Sequence, residues 1–382
     1  MKNNFFGVLV IIFFAIQITQ AQKTEDKDGT YSYTNPSPYA KVNVTSQIYT
    51  NNPKNIILMI GDGMGLDQVA TAWAANRGQL NLDNFNHIGL SRTYAADRLI
   101  TDSGASGTAM ATGHKAPYHA VGIDAAYKPQ LSLLALAGKN KLSTGLLVTS
   151  KITDATPAAF FAHNRDRENE EAIALDFLTC KVDFLFGGGR ELFTDREDKR
   201  DLITELETIG FQTPLSLDEI EQNKKQKIFL LPVKGQLDLA PDRGTLFQEA
   251  TMTALSRLDK NKNGFIAVIE GSRIDDAGHW NDLSNLMGEI FDFDQTIGRV
   301  LQWAAEDEET LVIVTADHET GGLSLLGGDL EKGQVKVKFN TTGHTGILVP
   351  VYTFGPGSEH FVGIYENTEI FNKIFKLLNF KN

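Results

Sequence analysis

The chain has 382 residues, 42% of them hydrophobic and 22% charged; this balance excludes disorder, collagen and coiled coil and leaves either one large α/β domain or two to three smaller ones. Lys and Arg number 36 against 48 Asp and Glu, a net charge of −12, so no nucleic-acid-binding surface is expected. The same charge repels anions at long range, and an anionic ligand would need local cations to hold it.

At the start of the chain, Lys2, the apolar run 5–16 and Thr19-Gln20-Ala21 read as a secretory signal peptide over residues 1–21. The run is shorter than the ~20 residues of a bilayer span, so no stable membrane anchor is expected, and the protein is expected to be exported, periplasmic or extracellular. A single cysteine, Cys180, excludes an intramolecular disulfide. Residues 22–53 are polar, with Asn35-Pro36-Ser37-Pro38 in the middle, and read as a loose N-terminal arm. Residues 54–382 read as one domain.

The near-continuous apolar run 55–60 fits a strand covered on both faces, and a helix follows at 67–76. The pattern recurs. A strand is expected at 145–150, with a helical stretch from about Thr156, and another strand at 182–186 runs into Gly187-Gly188-Gly189. Then come a helix at 200–209, a strand at 264–269, a long helix at 283–305 and a strand at 310–315. The alternating segment 335–339 suggests an exposed antiparallel ribbon, 349–354 a strand and 368–378 a closing helix. Residues 210–245 are the least regular and read as an insertion. Strands alternating with helices predict an α/β fold: a single large domain with a central, mostly parallel sheet flanked by helices on both faces.

Ligands of such sheets bind at the carboxyl ends of the strands, and the residues there are rich in carboxylates and imidazoles. They are Gly61-Asp62-Gly63-Met64-Gly65, Thr153-Asp154-Ala155-Thr156-Pro157, Glu270-Gly271-Ser272-Arg273-Ile274-Asp275-Asp276-Ala277-Gly278-His279 and Asp317-His318-Glu319. Gly343-His344-Thr345-Gly346 precedes the last strand. Carboxylate plus imidazole suits zinc, and oxygen-only sets suit magnesium. In Thr101-Asp102-Ser103-Gly104-Ala105-Ser106 the small residues let a helix begin at once after Ser103, with free N–H groups facing any anion there. Taken singly, Asp62 and Ser103 would read as helix caps and His279 or His344 as packing residues. Asp317-His318 directly after an apolar strand is costly to bury without a metal. Asp259 to Glu270 also fits a calcium-loop pattern, but no second helix follows and 265–269 reads as a buried strand.

Six of these motifs, Asp62-Gly63-Met64-Gly65, Thr101-Asp102-Ser103, Asp154-Ala155-Thr156-Pro157, Glu270-Gly271-Ser272-Arg273-Ile274-Asp275, Thr315-Ala316-Asp317-His318 and Gly343-His344-Thr345-Gly346, together resemble the alkaline phosphatase family in its shorter bacterial form. The resemblance implies an alkaline-phosphatase-like catalytic domain over 54–382. It also implies hydrolysis of small phosphate monoesters to inorganic phosphate through a phosphoseryl intermediate on Ser103, with two zinc ions and one magnesium. By the same resemblance, Asp275, His279 and His344 would hold the first zinc, and Asp317, His318, Asp62 and the Ser103 oxygen the second. Asp62, Thr156 and Glu270 would form the magnesium site. Arg167 would clamp the phosphate, with Arg165 its rival. Relatives are commonly homodimers.

Two positions bear on tuning. Asp154 matches some relatives but not those with histidine, and Asp276 stands where relatives carry lysine, histidine or tryptophan. Two carboxylates beside the phosphate would repel product, so weaker phosphate inhibition and a stronger magnesium requirement are expected. Few aromatic or basic residues surround the motifs, so broad specificity is expected. A phosphodiesterase or sulfatase of the same superfamily is the alternative enzyme. Sulfatases, however, carry Cys/Ser-x-Pro-x-Arg, which Ser103-Gly104-Ala105-Ser106-Gly107 lacks, and diesterases keep threonine as nucleophile. An inactive phosphate- or metal-binding protein is the non-enzyme alternative, and no ligand position is missing here.

Overall fold

The side chains of the Asn55–Gly61 strand, buried along its whole length, divide between two cores: Ile57 and Met59 enter one, Ile56, Leu58 and Ile60 the other. This is the two-residue period of a strand covered on both faces. The Phe265–Gly271 strand divides in the same way, Phe265, Ala267 and Ile269 against Ile266 and Val268. The computed structural model describes residues 25–45, 48–220 and 227–381, so the expected signal peptide lies outside the described residues.

Both strands belong to a sheet of ten among the described residues. Its order is Gly363–Glu366, His87–Arg92, Val349–Phe354, Thr310–Thr315, Asn55–Gly61, Phe265–Gly271, Ser143–Lys151, Phe184–Gly188, Lys227–Leu230 and Phe211–Gln212. Only Val349–Phe354 runs against its neighbours; every other pairing is parallel. Helices Leu66–Ala75, Leu246–Leu258 and Leu283–Asp307 pack into the first core, and Ser103–Thr112, Leu133–Lys139 and Thr368–Leu377 into the second. The fold is therefore the single α/β domain with helices on both faces. Among the described residues no helix is long and apolar enough to cross a membrane.

Three local expectations change. The segment 22–53 is not loose throughout, because Tyr31–Thr34 pairs antiparallel with Gln334–Phe339, which in turn pairs with Leu323–Asp329. That added strand means the 335–339 segment is not an exposed ribbon: Val335 and Val337 are fully buried in the first core. Residues 210–245 are not an insertion either. Phe211–Gln212 and Lys227–Leu230 extend the main sheet at its edge, too short to announce themselves by periodicity.

The arm is also pinned by Tyr39, whose Oη donates to Asp294 Oδ2 at 2.7 Å; Asn81 N and Leu82 N donate to the same carboxylate at 2.8 and 3.1 Å. Burial nevertheless pushes the Asp294 carboxyl up to about 6. The fold thus favours the protonated form, a contribution present below about pH 4 and lost as pH rises through about 6. In urea unfolding, the stability of the wild type relative to Asp294→Asn is expected to be greater at pH 4 than at pH 7 by about 2 kcal/mol. A difference that does not change with pH contradicts this assignment.

Candidate metal centre

The parallel strands all end on one rim, and the residues just past those ends build the site. Asp62 follows Asn55–Gly61, Glu270 is the penultimate residue of Phe265–Gly271, and Asp317-His318 follow Thr310–Thr315. Because Val349–Phe354 runs the other way, the loop entering it, with His344, reaches this rim. Asp275 and His279 are four residues apart on the Arg273–His279 helix and so share one face. The turn after Asp62 is tight: Gly63 has φ +72°, and a Cβ there would lie 3.0 Å from Asp275 Oδ1.

Ser103 is the first residue of the Ser103–Thr112 helix, and the cap is Asp102. Asp102 accepts from Gly104 N at 3.3 Å, Ala105 N at 3.1 Å, His119 N at 3.2 Å and Arg167 Nη1 at 3.2 Å. The helix N–H groups expected to face an anion are therefore partly taken, and what the helix offers is its dipole. With the cap supplied by its neighbour, the Ser103 hydroxyl is spared that duty and lies 3.3 Å from His318 Nε2.

Oxygens crowd that nitrogen. Asp317 Oδ2 lies 3.1 Å and Asp62 Oδ1 3.4 Å from His318 Nε2. His344 stacks on His318 with ring centroids 3.6 Å apart, and its Nε2 lies 3.1 Å from His279 Nε2 and 3.6 Å from Asp275 Oδ1. His279 Nε2 is 3.2 Å from Asp275 Oδ2. Asp275, His279 and His344 form one group with ligating atoms within 4.8 Å of one another; Asp62, Asp275 and His318 form a second. Asp275 thus stands between the two expected zinc positions, whereas the sequence reading placed it with the first alone. On the other side of Asp62, Thr156 Oγ1 donates to Oδ2 at 3.4 Å.

The electrostatics are those of a cation cage. Burial, then the charges of Asp317, Asp275, Glu270 and Asp154, holds the Asp62 carboxyl well above the usual carboxylate range. Burial and then Asp154 do the same to Glu270. The hydrogen bond to Asp275 raises His279 to about 9, and burial, then His318, lowers His344 to about 4. Asp62 Oδ1, Glu270 Oε2 and Asp317 Oδ2 are buried without a hydrogen-bond partner. Ionised carboxylates so placed cost several kcal/mol each unless cations neutralise them. The mixed carboxylate–imidazole sets fit zinc, and the all-oxygen set Asp62, Thr156 and Glu270 fits magnesium.

The remaining candidates fall as follows. Arg167 reaches the rim and donates from Nη2 to Asp154 Oδ1 at 3.1 Å, besides its bond to Asp102. Arg165 instead lies over the Tyr127 ring, 4.7 Å from its centroid. Asp276 is not a bare carboxylate: Arg273 Nε donates to it at 3.0 Å. Asp276 thus accepts from Arg273, and Asp154 from Arg167, which Asp102 shares, so each of the two carboxylates expected to repel product has a cation beside it. The calcium-loop reading fails as well, since Glu270 lies at the far end of a seven-residue strand, roughly 17 Å beyond its start. Sequence reasoning missed Asp102 as the residue that orients Arg167. It also missed Tyr118 and His119, which line a cleft of about 250 Å³ with Ser103, Arg167, Asp275 and His344. Aromatic rings therefore do border the site, contrary to expectation; nothing in the spacing of Tyr118 and His119 from the motifs announces this.

Comparison with known proteins points one way. Residues 53–335 match the family model described as alkaline phosphatase. Alkaline phosphatase 4 of Bacillus subtilis (strain 168) is 34% identical over 85% of this chain and 88% of its own. The structure of alkaline phosphatase from the Antarctic bacterium TAB5 superposes with a TM-score of 0.83 at 38% identity, covering 87% of this chain and 99% of that one. A mutant of that enzyme, matching equally well, was solved with Mg bound in the M3 site.

Proposed function

This chain belongs to the alkaline phosphatase family and is a phosphomonoesterase, and on that premise we propose that Ser103 is its nucleophile, working within a centre of two zinc ions and one magnesium. One observation carries the reading: the Ser103 hydroxyl lies against His318, where Asp62 and Asp317 also converge with buried oxygens left unpartnered. Asp275, His279 and His344 would hold one zinc; Asp62, Asp317, His318 and Ser103 the other; Asp62, Thr156 and Glu270 the magnesium. When bound, these cations supply Lewis acidity and neutralise charge on a phosphate ester.

The chain's own groups do the rest. Ser103 Oγ attacks phosphorus, the bond to the leaving oxygen breaks, and the phosphoryl group passes to the serine. Water then cleaves the phosphoserine, releasing inorganic phosphate and restoring Ser103. Arg167, aimed by Asp102 and Asp154, presents its planar fork to two phosphoryl oxygens, which a lysine could not match. Arg167→Lys is therefore expected to lower kcat/KM roughly 10–100-fold, the loss of one hydrogen bond to a charged group, and to raise the phosphate inhibition constant. Unchanged phosphate inhibition would remove Arg167 from this role.

The substrate class is tested on an aryl phosphate monoester, the matching diester and the sulfate. Turnover of the monoester far above the other two is expected; preference for diester or sulfate overturns the reading. By the same reading the protein is exported to the periplasm or medium, supported by the pattern in residues 1–21. It is also a homodimer, supported by the family resemblance.

A further inference from the structure

Glu319 follows Asp317-His318 directly, is 3% exposed, and all three of its hydrogen-bond donors are neutral. Gln68 Nε2 and Leu323 N donate to Oε1 at 2.6 and 3.1 Å, and Thr345 Oγ1 donates to Oε2. Gln68 lies on the Leu66–Ala75 helix that follows the Asp62 turn, and its Nε2 donates also to Thr320 O at 2.8 Å. Thr345 is the neighbour of His344, and the two-residue strands Glu319–Thr320 and His344–Thr345 pair antiparallel, Thr320 opposite His344. Even the backbone leaves no slack, because a Cβ on Gly65 would stand 2.4 Å from Glu319 Cγ.

A single buried carboxylate thus ties together three loops, those that carry Asp62, Asp317-His318 and His344. None of these ties reaches the cleft itself. We propose that Glu319 is a positioning residue that sets the affinity of the metal centre by locking these three loops in one register, including the stack of His318 on His344. The inference rests on the metal centre proposed above. It differs from an electrostatic role because what matters is three accepted or exchanged hydrogen bonds, which glutamine also makes: its carbonyl accepts from Gln68 and Leu323, and its amide donates to the Thr345 hydroxyl.

The test is zinc titration of the metal-free protein against a competing chelator, which reads affinity rather than turnover. Glu319→Ala is expected to weaken zinc binding about 10–100-fold, the usual effect of removing a group that orients metal ligands. Thr345→Val, which removes one hydrogen bond, is expected to weaken it about 5-fold. Glu319→Gln is expected to bind like the wild type. Tyr39→Phe, which loosens the arm away from the centre, serves as a stability control and is expected to leave zinc affinity unchanged. Wild-type affinity in Glu319→Ala overturns the inference, as does equal weakening in Glu319→Gln and Glu319→Ala, which would make charge the cause. If Glu319→Ala does not fold, Thr345→Val decides: unchanged affinity there overturns the inference. A wild type that takes up no zinc would instead remove the metal centre itself.

Discussion

Ser103→Ala is expected to lower turnover of an aryl phosphate by at least about 10⁴-fold while leaving the fold intact, because removal of a covalent nucleophile costs on this scale and more. The argument is local. Asp102, not Ser103, caps the helix, so the lost hydroxyl takes no structural hydrogen bond beyond its contact with His318. The melting temperature should therefore hardly move. A second readout belongs to the same prediction. Two successive displacements at phosphorus retain configuration, and a chirally labelled phosphate should show retention, with a trappable phosphoserine in the wild type and none in the variant. Inversion, or undiminished turnover by the alanine variant, would mean that water attacks the ester directly and that Ser103 is only a neighbour.

Stripping the metals is the other large effect. Turnover should vanish, and the melting temperature should fall on the order of 10–20 °C. A ligand held at about 1,000 times its dissociation constant contributes about 4 kcal/mol, and three such sites sum to on the order of 10 kcal/mol. The physical cause lies in the cage. Asp62 and Glu270 bury oxygens with no hydrogen-bond partner and both carboxyls are held well above the usual range, so the empty protein keeps their desolvation cost without the attraction that offsets it. A sharper form follows. Glu270→Gln should weaken magnesium binding yet make the metal-free protein more stable than the metal-free wild type, because an amide replaces a buried charge. Calorimetry of the four species, loaded and empty, checks both halves. An empty wild type as stable as the loaded one would show that no cation offsets these charges.

The long strands were legible because burial on both faces leaves only apolar residues between Asn55 and Ile60 or between Thr310 and Thr315. His87–Arg92 was not legible, since Gly89 and Ser91 interrupt its apolar run, Gly89 to fit a close neighbour. A Cβ on Gly89 would meet Phe361 O at 2.2 Å. The last two strands of the sheet, Lys227–Leu230 and Phe211–Gln212, are too short for any period to appear. In the site, the family resemblance pointed to Arg167 with Arg165 as its rival, but nothing in the order of residues showed that Arg273 pairs with Asp276 and quiets its charge.

Which chemical groups this protein brings to its reaction is written in the chain order alone: short motifs of acid, imidazole and hydroxyl, each placed where an apolar run stops. Local rules suffice there, because a strand's end and a helix's start are properties of neighbouring residues. How those groups meet depended on the sheet. The reversal of Val349–Phe354 sends His344 to the rim by its entering loop, Asp275 comes to stand between two clusters, and Tyr118 and His119 arrive at the cleft from a loop with no motif of its own. These are contacts between segments far apart in the chain, set by which faces pack together, and no local pattern encodes them.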